Sequence, residues 1–254
     1  TTIKKVIDSG MLGWPLKVPV GRTTGTPWKL DQWSGKTDLR EQDIPDHLNY
    51  DRWLGPAPYK PYNAHRTHSN FRGYWDYDGG GLGDMGQHFL DPVQYMLGKD
   101  NESPIWVEAD TDKQHPDAVL PWRQVVMQYK DGCQIIFDET GGARQPFIEG
   151  PKGKIYPGFT SDIPNFDKKV AELPEPDPQV TNFYEAVRER KKFALNESNA
   201  HRSTTLINIA KISLRLNRKL YYDGVKQEFI NDPEANRFIY QPMRGHWNLN
   251  AGNY

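Results

Sequence analysis

Tyr74-Trp75-Asp76-Tyr77-Asp78-Gly79-Gly80-Gly81-Leu82-Gly83-Asp84-Met85-Gly86-Gln87-His88-Phe89-Leu90-Asp91-Pro92 is the stretch on which the fold turns. Gly81 to Gly86 has the form G-x-G-x-x-G, which opens a dinucleotide-binding unit when a hydrophobic strand stands just before it. Here Tyr74-Trp75-Asp76-Tyr77-Asp78 precedes the glycines. That is a poor parallel strand, so the required context fails. The glycines read instead as a tight helix entry that lets another segment come close to the backbone. From about Asp84 to Leu97 the pattern is helical. Residues three and four apart share a helix face, so Asp84, His88 and Asp91 can point the same way, an imidazole between two carboxylates. Such a histidine can be held in one tautomer and exchange a proton near neutral pH. Two other readings stand beside this one: capping aspartates around a half-buried histidine, and three metal ligands on one face. Pro92 lacks an N–H, so the helix either kinks there or restarts with Asp91 as its cap.

Upstream, residues 23–80 form a long insertion rich in Gly, Pro, Asn and Asp, with little periodic apolar patterning. Loops of that length in a compact domain are commonly functional. Its aromatics (Trp28, Trp33, Tyr50, Trp53, Tyr59, Tyr62, Phe71, Tyr74 and Trp75) suggest a segment packed on itself and against a cleft. His65, Arg66, His68, Asn70 and Arg72 lie among them. Donors set among rings suit a polyhydroxylated ligand; a solvated loop with ordinary ion pairs is the plainer alternative. Earlier still, Thr1 to Leu12 reads as the tail of a helix stopped by Gly10 and Gly13, and Leu16 to Arg22 as a strand.

Downstream the pattern turns to strands: Ile105–Thr111, then Trp122–Tyr129 and Cys133–Asp138 around the hairpin signal Lys130-Asp131-Gly132. Phe147–Gly150 and Lys154–Pro157 predict a second hairpin, and Val170–Leu173 an edge strand. A helix follows over about Gln179–Lys191, with an apolar stripe of Val180, Phe183, Tyr184 and Val187, then a buried one over about Asn199–Leu216. Lys219–Tyr222 and Val225–Phe229 predict a last strand pair, and Asp232-Pro233 a helix start. Runs of strands followed by helices mean α+β. The expected architecture is one domain over residues 1–254, with a mainly antiparallel open sheet, helices on one face, the remnant helix at 1–13 and the aromatic-rich insertion.

The bulk numbers narrow the function. The chain has 254 residues with 32 Lys+Arg against 33 Asp+Glu, so nothing suggests a nucleic-acid footprint. Only 36% of residues are hydrophobic and no apolar run is long enough for a membrane span. The single Cys133 excludes an internal disulfide and cysteine-based metal clusters, and its apolar surroundings suit an inert thiol. No secretory signal opens the chain, which leaves both bacterial cytoplasm and periplasm as expectations.

The ordered set Leu12-Gly13, Trp53-Leu54-Gly55-Pro56-Ala57-Pro58, Phe71-Arg72-Gly73-Tyr74-Trp75-Asp76-Tyr77 and Gly80-Gly81-Leu82-Gly83-Asp84-Met85-Gly86-x-His88-x-x-Asp91 resembles the Gfo/Idh/MocA oxidoreductases. Asn182-Phe183-Tyr184-Glu185-Ala186-Val187, His201-Arg202-Ser203 and Asp232-Pro233-Glu234-Ala235-Asn236-Arg237 resemble the same family's C-terminal region. The resemblance implies a two-domain enzyme, with a Rossmann domain binding NAD or NADP and an α+β domain whose open sheet shapes the substrate cleft and often the subunit interface. Only the second half has a counterpart here. The glycine fingerprint and the Glu-Lys-Pro segment with its catalytic lysine do not, so the cofactor site would lie mainly in an N-terminal Rossmann domain absent from this chain.

By that resemblance Asp84 and His88 match the catalytic pair, and Arg72 and Trp75 line the cleft. His65 and Asp91 complete the expected substrate set, around a small sugar-like molecule. The alternatives are a non-enzymatic oligomerisation module and a metal-dependent sugar hydrolase or isomerase.

Overall fold

The computed structural model describes residues 2–20, 33–138 and 145–247. Trp28 and the first part of the insertion lie outside the described residues. Nine strands form one sheet: β1 (Lys17–Val20), β2 (Trp106–Thr111), β3 (Trp122–Gln128), β4 (Gln134–Asp138), β5 (Ile148–Gly150), β6 (Gly153–Tyr156), β7 (Thr160–Ser161), β8 (Leu220–Asp223) and β9 (Glu228–Phe229). Their order is β7-β6-β5-β1-β4-β3-β2-β8-β9. Every neighbouring pair is antiparallel except β1 with β4.

Period-two patterning decides which face is covered. Val107, Met127, Ile135 and Val18 stand in register across β2, β3, β4 and β1, as do Ala109, Val125, Phe137 and Val20. All eight are buried. The helices α1 (Thr2–Asp8), α3 (Gly80–Leu97) and α6 (Glu197–Leu216) lie over this face. The opposite face carries Trp106, Gln128, Gln134 and Lys17 in one row and Glu108, Val126, Ile136 and Pro19 in the next. No helix among the described residues packs there; on that side Pro19 is buried and Val126 and Ile136 are half-buried.

Several elements differ from the sequence reading. α3 begins at Gly80, not Asp84, and runs unbroken through Pro92, so Asp91 is not a cap. The proline removes one helical hydrogen bond, to the His88 carbonyl. Buried Leu90, Val93 and Leu97 on the packed side hold the helix across that gap. Val170–Leu173 is not a strand: residues 166–171 form α4 (Phe166–Ala171), because Phe166 and Val170, four apart, bury one helical face. The edge strand is β7 instead. The strand expected at Val225–Phe229 shrinks to β9, since Asp223 Oδ1 accepts from the N–H groups of Val225 and Lys226 and holds a turn.

The helix expected over 179–191 is the shorter α5 (Phe183–Glu189), capped by Asn182. Its predicted stripe is not core: Phe183, Tyr184 and Val187 are 59, 86 and 63% exposed, and only Ala186 is buried. Within the insertion, α2 (Tyr50–Leu54) and short 3-10 turns over residues 64–66 and 68–73 supply regular structure. Tyr50, Leu54 and Tyr62 close a small separate core there. α7 (Pro233–Asn236) starts at the predicted Asp-Pro, with Asp232 accepting from the Ala235 N–H. Cys133 is buried and its thiol is pushed up to about 12 by that burial, as an inert packing residue should be.

Candidate active site

The head of α3 gathers polar groups from three segments. Asp84 sits just past its first turn, where the helix N-terminus favours negative charge. Arg72 Nε, from the 3-10 turn upstream, donates to Asp84 Oδ1 at 2.8 Å. Trp33 Nε1 donates to Asp84 Oδ2 at 3.1 Å. Both carboxylate oxygens are therefore held, and held by donors from the insertion. Arg72 Nη1 goes to the Ser69 carbonyl at 3.2 Å, which leaves Nη2 without a partner among the described residues.

His88 stands one turn beyond Asp84 and is exposed. Among the described residues it makes no hydrogen bond or ion pair. Asp91 turns the other way, to α6, where Ser203 Oγ donates to its Oδ1 at 3.1 Å. The expected imidazole clasped between two carboxylates is thus not formed. Asp84 is claimed by Arg72 and Trp33 and Asp91 by Ser203, and the ring between them has no partner among the described residues.

Asp78, just before the glycines, was not singled out from sequence. It is half-buried beside the same group, and loss of solvent first, then the charge of Asp84, lifts its carboxyl to about 6. Its Oδ2 is buried with no hydrogen-bond partner. Lys211 from α6 donates its ammonium to the Asp78 carbonyl at 2.7 Å. A lone lysine in Ile207-Asn208-Ile209-Ala210-Lys211-Ile212 was the signal for it. Trp33 had none, since the insertion has no periodicity to place its rings.

The glycines here serve protein packing. A Cβ on Gly79 (φ +97°) would stand 2.3 Å from Lys211 Cε, and one on Gly83 would stand 2.1 Å from the Asp78 carbonyl oxygen. Gly86 faces Ile207. The near-match to a dinucleotide fingerprint is filled by this chain's own atoms and lies inside a helix with no strand before it. It offers no pyrophosphate cradle.

The other expected residues lie apart from Asp84. His65 Nδ1 is 2.8 Å from the Tyr74 hydroxyl, and burial lowers its pKa. Trp75 is buried, its Nε1 donating to the His115 carbonyl at 3.1 Å. Arg66 is bound through Nη2 to Asp117 at 2.6 Å and lies over the Tyr74 ring, while its Nε and Nη1 are buried without a hydrogen-bond partner among the described residues. Among the described residues no group of three His, Cys, Asp or Glu side chains is placed to hold a metal ion. No described helix is long and apolar enough to cross a membrane.

The family description "Oxidoreductase family, C-terminal alpha/beta domain" of the Gfo/Idh/MocA group matches residues 1–249. The chain belongs to the Gfo/Idh/MocA oxidoreductases. No curated protein matches this Gfo/Idh/MocA domain. Among solved structures, an oxidoreductase from Thermotoga maritima is 18% identical, with 86% of this chain and 57% of that one covered and a TM-score of 0.44. The WlbA dehydrogenase from Bordetella pertussis, solved in complex with NADH and UDP-GlcNAcA, is 16% identical, with 87% and 58% covered and a TM-score of 0.46. The aldose-aldose oxidoreductase from Caulobacter crescentus, complexed with glycerol, is 15% identical, with 87% and 59% covered and a TM-score of 0.43. The Gfo/Idh/MocA domain described here spans less than two thirds of each of these structures.

Proposed function

We propose that this chain is the substrate-binding and catalytic half of an NAD(P)-dependent oxidoreductase acting on a secondary alcohol of a sugar, cyclitol or derivative. The observation that carries this reading is the head of α3 in an oxidoreductase-family domain. There an exposed imidazole without a partner stands one turn from a carboxylate that is fixed at both oxygens. His88 takes the hydroxyl proton of the alcohol, or returns it in the reverse direction. Asp84 is a positioning group: held by Arg72 and Trp33, it orients His88 or a neighbouring substrate hydroxyl from one turn away. Arg72 Nη2 is left to bind a substrate hydroxyl. Trp75, His65 and Asp91 belong to the proposed surroundings, not to the proton transfer.

The glycines of α3 are packed against this chain's own atoms, and the nicotinamide cofactor that would supply the hydride chemistry is assigned mainly to a domain outside this chain. The open face of the sheet is assigned to self-association.

Replacing His88 by Ala in the full-length enzyme tests the reading. A positioned general base contributes about 10²–10⁴-fold, so kcat should fall by that order while the melting temperature barely moves. Retained turnover excludes His88 as the base.

A further inference from the structure

A cavity of about 550 Å³ lies between α6 and residues 237–242. Neither Asp84 nor His88 lines it. Its walls carry Lys211, Arg215, Arg237 and His201 against one carboxylate, Asp76. Asp76 already stands 3.6 Å from the Lys60 ammonium. Arg215 is held by stacking alone: its guanidinium carbon lies 4.4 Å from the Phe238 ring centre and 5.5 Å from that of Trp75. Ring faces grip the guanidinium plane and leave its N–H edge open. Among the described residues nothing accepts from that edge, and Arg237 has no ion pair either. Burial pulls the pKa of both Lys211 and Arg215 down, and the opposing charges of Asp78 and Asp76 only partly offset it.

From this we infer that the cavity is a binding site for a small anionic ligand, a sugar-sized molecule carrying a phosphate or a carboxylate. Arg215 would present its free edge to the anionic group, with Arg237 beside it. A guanidinium edge matches both groups with two parallel hydrogen bonds. The volume falls in the range that encloses a small molecule. Asn208 and Thr205 on the α6 wall and Gln227 supply neutral partners for hydroxyls. The Trp75 and Tyr222 rings supply apolar surface. Trp75 and Lys211 adjoin both this cavity and the head of α3, but Asp84 and His88 do not line it, and the assignment does not rest on the proposed reaction.

Isothermal titration of the full chain with glucose 6-phosphate, glucuronate and glucose tests the assignment. At least one of the charged sugars should bind and glucose should not, and the stronger of the two identifies the anionic group. Arg215→Met keeps the stem between the rings and removes the charge, so affinity should fall about tenfold or more, as loss of a charged hydrogen bond does. Arg237→Gln, farther from the core, should weaken binding in the same direction and decides the matter if the first variant does not fold. His88→Ala should leave the binding unchanged. Failure of both charged sugars to bind, equal binding of glucose, or full affinity in a folded Arg215 variant and in the Arg237 variant overturns the proposal.

Discussion

At the scale of single residues, the polar group at the head of α3 is built by competition for Asp84. A carboxylate has two oxygens, and Arg72 and Trp33 take both. What remains is a histidine without a partner among the described residues and a second carboxyl, Asp78, that loss of solvent disfavours as an anion. Asp78 gives a test by pH. Its folded value, about 6, lies above the ordinary 3.8. Stability from this group is therefore full below about pH 4 and is lost as pH rises through about 6. Asp78→Asn keeps the neutral shape at every pH. Relative to the parent, the variant should gain roughly 1–3 kcal/mol of unfolding free energy between pH 4 and pH 7.5, read from urea unfolding at the two values. A constant difference across that range would show that Asp78 ionises in the folded chain as easily as in the unfolded one.

At the scale of elements, α3 shows tertiary contacts overriding helix propensity. Ala is worth about 1 kcal/mol over Gly in a helix interior. At Gly83 that preference should reverse, because the added methyl would meet the backbone oxygen of Asp78 at 2.1 Å. Gly83→Ala is expected to destabilise by about 1–3 kcal/mol, the ordinary cost of overpacking, and thermal melts check it. A stabilised variant would mean that residues 78–79 yield without cost.

The same scale explains the misreadings. Pro92 sits in a helix that packing holds on both sides of it. Val170 belongs to a helical pair with Phe166, which a four-residue window cannot tell from a strand. The stripe on α5 has true helical spacing, yet spacing says only which residues share a face and not whether anything covers it.

At the scale of the whole molecule, the sheet divides labour between its faces. One side carries α1, α3 and α6, and with them the candidate site. The other side leaves Val126 and Ile136 half-buried in a row with Glu108 and Pro19. If that face joins two copies, Val126→Arg in the full-length protein should shift sedimentation toward the monomer with the core intact, since its side chain points away from Val125 and Met127. An unchanged sedimentation profile would exclude association through this row.

The cofactor prediction belongs here too. Titrated with NADH, this 254-residue chain should show weak binding or none, because its glycines are covered by its own atoms. Tight binding would place a dinucleotide site on this chain after all.

The periodicities and hairpin signals of the sequence were enough for the class of fold, the strands β2 to β6, the buried α6 and the placing of Asp84 and His88 one turn apart on one helix. Those features depend on residues close in the chain, where turn chemistry and side-chain period act directly. The partners of the site came from elsewhere: Trp33 lies 51 residues from Asp84, Ser203 112 from Asp91, and the Lys211 ammonium meets a carbonyl 133 residues away. Such pairings leave no local pattern. Only the closing of the insertion over α3, and of α6 against it, decided that Asp84 is clamped, that Asp91 is turned aside and that His88 has no partner among the described residues.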